Sequence, residues 1–186
     1  LQQVLFAASN DDARPVLTGV YMHSDKDMLY VAATDSYRLA EKSLKRSVGE
    51  MSLLLPSQSL QELLRSLKDD SATLQISFDE QQARFKVLDV EIVTRLVDGQ
   101  YPDYKKLLPS SFETTATLTR QALNEITKVS SLFAREAAGS ITLLVDEAKK
   151  EVSISSIASQ VGENTASAEA EIEGNASITL NSRYIL

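Results

Sequence analysis

Apolar and polar positions alternate with period two over much of this chain. Leu74, Ile76 and Phe78 alternate with Gln75 and Ser77, and Ala83, Phe85 and Val87 alternate with Gln82, Arg84 and Lys86. Farther on, Val152 and Ile154 alternate with serines, and Ala166, Ala168, Ala170 and Ile172 alternate with Ser167, Glu169 and Glu171. A strand sends successive side chains to opposite faces, so each run predicts a strand with one face buried and one wet, as in an antiparallel sheet. Turn formers separate the runs at Ser24-Asp25-Lys26-Asp27, Lys68-Asp69-Asp70-Ser71 and Asp79-Glu80.

Two segments change to helical spacing. Leu60, Leu63, Leu64 and Leu67 form one apolar stripe, and Ser59 followed by Glu62 predicts a capping box at its start. The second segment covers about 119–133, with Leu123, Ile126, Val129 and Phe133 as its stripe and Thr119 as its N-cap. Leu1, Val4, Leu5 and Ala8 read as the tail of another helix, so the fold class is α+β. Between Asp98 and Phe112 the pattern breaks. A glycine and two prolines there, at Gly99, Pro102 and Pro109, suit an ordered linker between domains.

The two halves also resemble each other. Leu1, Val4 and Ala8-Ser9 line up with Leu123, Ile126 and Ser130-Ser131. Ser52-Leu53-Leu54-Leu55 lines up with Ser177-Ile178-Thr179-Leu180, and Leu60 with Ile185. Self-similarity at so long a period points to two copies of one domain type, the alternative being a chance likeness of two α+β segments.

Composition narrows the chemistry. Of 186 residues 43% are hydrophobic and 24% charged, which fits a packed domain rather than a disordered chain. With no cysteine, disulfides, thiolate nucleophiles and cysteine zinc sites are excluded. The chain opens on Leu1 without a methionine or a basic region before an apolar stretch, so it reads as beginning inside a longer protein and not as a signal peptide. His23, the sole histidine, reads as a surface or edge residue. No phosphate loop, nucleophile elbow or carboxylate–histidine spacing suits catalysis, a cofactor or a metal. The net charge of −7 argues against a DNA reader that grips phosphates tightly, unless the fold sorts its charges by face.

Three stretches carry a resemblance. They are Arg14-Pro15-Val16-Leu17-Thr18-Gly19-Val20 with Leu29-Tyr30-Val31-Ala32-Ala33-Thr34-Asp35-Ser36-Tyr37-Arg38-Leu39-Ala40; Leu96-Val97-Asp98-Gly99-Gln100-Tyr101-Pro102-Asp103-Tyr104 with Leu108-Pro109; and Ser131-Leu132-Phe133-Ala134-Arg135-Glu136. In this order they resemble the bacterial DNA polymerase III beta subunit, the sliding clamp family. The resemblance implies the clamp fold, repeated domains of antiparallel sheets packed on two helices each. Residues 1–105 would be the middle domain without the start of its first helix, and 106–186 the truncated front of the third.

The implied function is not enzymatic. A head-to-tail homodimeric ring encircles duplex DNA in the cytoplasm and tethers the replicative polymerase, which gives it processivity. Linkage holds such a ring, so little attraction is needed and the bulk charge is no obstacle. Arg65, Lys68, Arg120 and Lys128 are the candidates to face DNA, against a plain solvated helix face. Ser57-Gln58 is neutral where some relatives carry basic residues. The resemblance also implies a pocket for short peptides of the polymerase, the clamp loader and repair proteins. Its matching residues are Arg14, Leu17, Thr34, Tyr37, Arg38, Leu39, Pro102, Lys106 and Leu107. Ser36 and Tyr37 stand where relatives often have glycine and histidine. Leu132 and Phe133 would belong to the subunit interface. Two rival readings remain at this stage: a two-domain β-rich binding module unrelated to DNA, and an enzyme whose site lies outside these residues.

Overall fold

The computed structural model describes residues 1–46, 49–67, 73–158 and 162–186, in two compact units, Leu1–Tyr104 and Lys105–Leu186. The turn expected at 68–71 lies outside the described residues.

The first unit opens with two one-turn helices, α1 (Gln2–Leu5) and α2 (Pro15–Thr18). Strands β1 (Gly19–Asp25), β2 (Met28–Thr34), β3 (Leu39–Lys45) and β4 (Ser52–Pro56) form an antiparallel sheet in the order β3-β2-β1-β4. Helix α3 (Ser57–Ser66) follows, then a meander of β5 (Gln75–Phe78), β6 (Gln82–Val87) and β7 (Val90–Arg95). Val4 of α1, Leu60 and Leu63 of α3, Val20, Val31, Leu53 and Leu55 of the first sheet, and Ala83 and Phe85 of the meander share one core. The period-two reading of β6 holds, with Ala83, Phe85 and Val87 buried and the residues between them exposed.

The first sheet is covered on its other face as well. Leu54 and Ala32 are buried there beneath Tyr101 and Tyr104. This explains why Val31-Ala32-Ala33 and Leu53-Leu54-Leu55 are apolar without a break, since strands buried on both faces lose the alternation.

The capping box expected at Ser59 and Glu62 is not formed. Helix α3 begins earlier, after Pro56, and has no side-chain cap. The Ser59 hydroxyl instead bonds Thr94 Oγ1 of β7 at 2.7 Å, and Glu62 pairs with Arg65. A tertiary partner displaced the local one.

The second unit holds β8 (Thr115–Thr117), α4 (Arg120–Phe133), β9 (Ser140–Asp146), β10 (Glu151–Ala158), β11 (Gly162–Glu169), β12 (Glu171–Glu173) and β13 (Ala176–Asn181). Its main sheet runs β11-β10-β9-β13. That order repeats β3-β2-β1-β4 strand for strand, with β9 in the place of β1 and β13 in the place of β4. Thr119 caps α4 as expected, its hydroxyl accepting from the Ala122 amide at 3.1 Å.

Three details of this unit differ from the sequence reading. The run Ala166–Ile172 is two strands, because β11 pairs with β10 whereas β12 leaves to pair with β8. Val129 is exposed, and the buried line of α4 is Ile126, Thr127 and Ser130, continued by Ala134. The serines that alternate with Val152 and Ile154 are not all wet, since Ser153 is 8% exposed. Ser156 is only 3% exposed and donates to the Ser130 carbonyl at 2.9 Å, while Ser130 Oγ donates to the Ile154 carbonyl at 3.1 Å. Hydroxyls satisfied in this way can be buried, so an apolar stripe alone misplaces the inner face.

Candidate functional site

The outer face of the first sheet is built by alternation. Val20 and Met22 point into the core, so Tyr21 and His23 point away from it, and Tyr30, Ala32 and Thr34 do the same on β2 by the register Tyr21↔Ala32 and His23↔Tyr30. Leu39 and Glu41 of β3 join them opposite Thr34 and Ala32. The segment Val97–Tyr104 runs over this face. The Val97 amide donates to the Leu54 carbonyl at 2.8 Å, and Tyr101 stacks on Tyr21 with centroids 5.2 Å apart. Leu17, Ala32, Leu54, Tyr101 and Tyr104 form one buried cluster, with Val16, Tyr21, Leu39 and Val97 packed against it.

His23 is not a surface residue. It is 9% exposed and stacks between Tyr21 (4.8 Å) and Tyr30 (5.1 Å). Its Nε2 bonds the Tyr104 hydroxyl at 2.9 Å, and that hydroxyl donates to Glu41 Oε2 at 2.6 Å. The phenol has one hydrogen, directed at Glu41, so His23 carries its proton on Nε2 and donates to Tyr104. Burial first, and then the Glu41 carboxylate accepting from it, push the Tyr104 phenol well above its ordinary value. Burial pushes the Tyr101 phenol up to about 12, and the Thr34 backbone amide offsets part of that. The Tyr101 hydroxyl itself makes no well-formed hydrogen bond.

Beside this cluster, Thr34–Leu39 forms a tight polar turn. Asp35 Oδ1 accepts from the Tyr37 and Arg38 amides, both at 3.0 Å, and Oδ2 accepts from Arg38 Nε at 3.1 Å. Burial works against the Asp35 charge, but the Arg38 and Tyr37 amides and the Arg38 guanidinium outweigh it and hold the carboxyl below its usual range. Thr34 Oγ1 donates to the Arg38 carbonyl at 2.7 Å and accepts from the Ser36 amide at 3.1 Å. Ser36 sits at φ +77°, the left-handed conformation that glycine adopts without strain. Its hydroxyl accepts from Arg14 Nη1 at 2.9 Å.

The structure therefore brings Arg14, Leu17, Thr34, Tyr37, Arg38 and Leu39 together on the first unit, with Pro102 exposed between two anchored tyrosines. Leu17 is buried, Leu39 is half-buried and Tyr37 is 78% exposed. Thr34 gives its hydroxyl to the turn, so it shapes this surface rather than lending it a donor. Lys106 and Leu107 lie in the one-turn helix Tyr104–Leu107, both exposed. Sequence reading missed Tyr101, Tyr104, His23 and Glu41. The available signal was aromatic residues at 21, 23 and 30, on positions that alternation assigns to the wet face.

Of the cations expected to face DNA, Arg65 is exposed but paired with Glu62, and Lys68 lies outside the described residues. Arg120 opens α4 and Lys128 lies on it, both exposed. Helix α3 carries one Glu and one Arg and is neutral, whereas α4 carries one Glu against one Arg and one Lys, a net +1. Leu132 is 59% exposed and Phe133 half-buried at the end of α4. Among the described residues no group of acidic or histidine side chains could hold a metal, and no helix is long and apolar enough to cross a membrane.

This arrangement, a repeated helix-and-sheet unit, has known counterparts. A family model for the DNA polymerase III beta subunit, central domain, matches residues 1–103. The chain belongs to the DNA polymerase III beta-subunit family. The Beta sliding clamp of Bacillus subtilis is 31% identical over 191 residues, covering 100% of this chain and 50% of the relative. The Beta sliding clamp of Staphylococcus aureus is 32% identical over 190 residues, with the same coverage. Among solved structures, the Thermotoga maritima beta subunit superposes with a TM-score of 0.91 at 29% identity, over 99% of this chain and 50% of that one. The Bacillus subtilis sliding clamp also gives 0.91, at 31% identity and the same coverage. The chain thus spans about half the length of the curated relatives it matches. Membership in this family replaces the reading of a generic, unrelated two-domain module.

Proposed function

We propose that the protein is a sliding clamp. As a head-to-tail homodimer it closes around duplex DNA without reading sequence, tethers the replicative polymerase in the cytoplasm and catalyses nothing itself. The observation that carries this is the match to beta sliding clamps along 99% of the chain, through both compact units. On this reading residues 1–105 are the middle domain and 106–186 the front of the third. Helices α3 and α4 face DNA, with Arg65, Arg120 and Lys128 nearest it, and Leu132 and Phe133 belong to the subunit interface. Helices that are neutral or +1 suit a ring held by linkage, since weak attraction lets it move along the duplex.

The partner site on this reading includes the first-unit surface of Arg14, Leu17, Thr34, Tyr37, Arg38, Leu39 and Pro102. Short peptides of the polymerase, the clamp loader and repair proteins dock there. The half-buried Leu39 beside the exposed Pro102 offers apolar anchor contacts, and Arg14 and Arg38 offer donors.

Linkage distinguishes a sliding ring from a protein that merely adheres to DNA. The native protein, loaded onto nicked circular duplex and passed over a gel-filtration column, is expected to elute with the DNA. Cutting the circle should release it, because the ring runs off the new ends. Retention on the linear DNA at physiological salt would overturn the proposal.

A further inference from the structure

The hydrogen-bonded chain His23–Tyr104–Glu41 belongs to no part of the expected docking surface, yet His23 and Tyr104 are buried and the chain ends on the exposed Glu41. It joins β1, β3 and the end of the Val97–Tyr104 segment. We infer that this chain is a latch that sets the position of Pro102, making His23, Glu41 and Tyr104 positioning residues for peptide docking. The inference rests on the docking reading above and adds to it the device that keeps the site in shape.

The geometry supports it in three ways. First, Pro102 is exposed, and the residues that fix it are its neighbours Tyr101 and Tyr104, buried at 8% and 2% exposure in the cluster that Leu17 and Leu39 also contact. An anchor lost on one side frees Pro102 relative to Leu39. Second, the Tyr104 hydroxyl makes two well-formed hydrogen bonds, whereas Tyr101 Oη makes none and has only a weak contact with the Thr34 backbone amide. Stacking and apolar contact restrain the segment weakly along its length, whereas hydrogen bonds to two different strands fix its register. Third, the polarity of the chain is consistent from end to end. His23 donates to Tyr104 and Tyr104 to Glu41, so the terminal acceptor is a carboxylate, which strengthens the bond it receives. The Tyr21, His23 and Tyr30 stack holds the imidazole in plane for this contact.

The test is titration of the protein with a short peptide bearing a glutamine and spaced leucine and phenylalanine anchors, well below the melting temperature, with circular dichroism to confirm folding. Tyr104→Phe removes the hydroxyl and keeps the ring. His23→Phe keeps the stack and removes the donor. Each is expected to weaken peptide binding by about three- to tenfold, the range of one ordinary hydrogen bond. The double variant should do no worse than the weaker single, because both break the same chain. Glu41→Gln keeps an acceptor and should bind more tightly than Glu41→Leu. Amide exchange at residues 99–104 should quicken in Tyr104→Phe. A role confined to stability would lower the melting temperature and leave affinity at the parent value, and that outcome overturns the inference. So does Glu41→Gln binding no better than Glu41→Leu. Leu39→Ala is measured alongside. If it binds like the parent, the docking reading itself fails; if it weakens binding and Tyr104→Phe does not, only the latch fails.

Discussion

The Arg38 guanidinium lies over the Phe6 ring, 5.3 Å from its centroid, while its Nε holds Asp35 at 3.1 Å. Phe6 follows α1 and Arg38 stands just before β3, so a cation and an aromatic ring pin the polar turn to the start of the chain. Phe6 is 55% exposed, and its ring carries the Arg38 guanidinium. Asp35 and Phe6 together pre-set Arg38, which reduces the ordering cost of any contact it makes.

The Asp35 carboxyl sits below its ordinary value, which gives the turn a pH dependence of known sign. Its stabilisation is complete above the unfolded carboxyl value, near pH 4, and is lost as pH falls through the lower folded value. Asp35→Asn should flatten that acid limb, because it keeps the Oδ1 acceptor and discards the titrating charge. Its cost at neutral pH should be about 1 kcal/mol. Urea midpoints measured from about pH 2 to 7 check both, and parallel acid limbs for the two proteins would show that Asp35 is not the group responsible.

Leu39→Ala strips an apolar contact from the proposed docking surface and is expected to weaken peptide binding by about 1–3 kcal/mol. Arg38→Ala should weaken it too, by removing a donor and the guanidinium that lies over Phe6. Lys86, exposed on β6, serves as control, and Lys86→Ala should bind as the parent does. Calorimetry on variants with unchanged circular dichroism decides the matter.

Tyr101 predicts an alkaline limb. Its phenol is raised to about 12, so its contribution is intact below the unfolded value near pH 10 and falls as pH climbs toward 12. The raised Tyr104 phenol adds loss in the same direction. Tyr101→Phe removes a buried hydroxyl without a well-formed bond and should be neutral or stabilising by up to about 1 kcal/mol at pH 7, with a shallower alkaline limb. Destabilisation of more than that at neutral pH would mean the hydroxyl has a partner in solution, such as a water.

Thr119→Ala should cost the second unit about 1 kcal/mol, since the Thr119 hydroxyl is the side-chain cap of α4. Thermal melts of the variant and the parent measure it. Thr119→Ser retains the cap and should recover most of the loss.

Much of the fold was legible because alternation is a strong signal wherever one face is wet. Strand β6 is the clear case. The reading weakened where polar groups are satisfied inside the protein. Ser59 looked like a cap and found Thr94 instead, a residue 35 positions away that no local pattern reveals. Ser130 was left out of the stripe of α4, where Val129 took its place, because hydroxyls are discounted in an apolar stripe. At the docking surface, Leu17, Leu39 and Pro102 were legible only through the family motifs. Glu41 was not legible, since its partner Tyr104 is 63 residues away, and the one trace of His23 was its place among aromatic residues on a face that alternation leaves wet.

The paired hydroxyls of Ser130 and Ser156 have a mechanical consequence. A helix resting on a sheet through aliphatic contacts alone can creep along it, because one apolar contact exchanges for another at little cost. Helix α4 is keyed to β10 by two directional bonds that face opposite ways, from helix to strand and from strand to helix. A load applied along the helix is therefore passed into the sheet as shear and is not dissipated as slip.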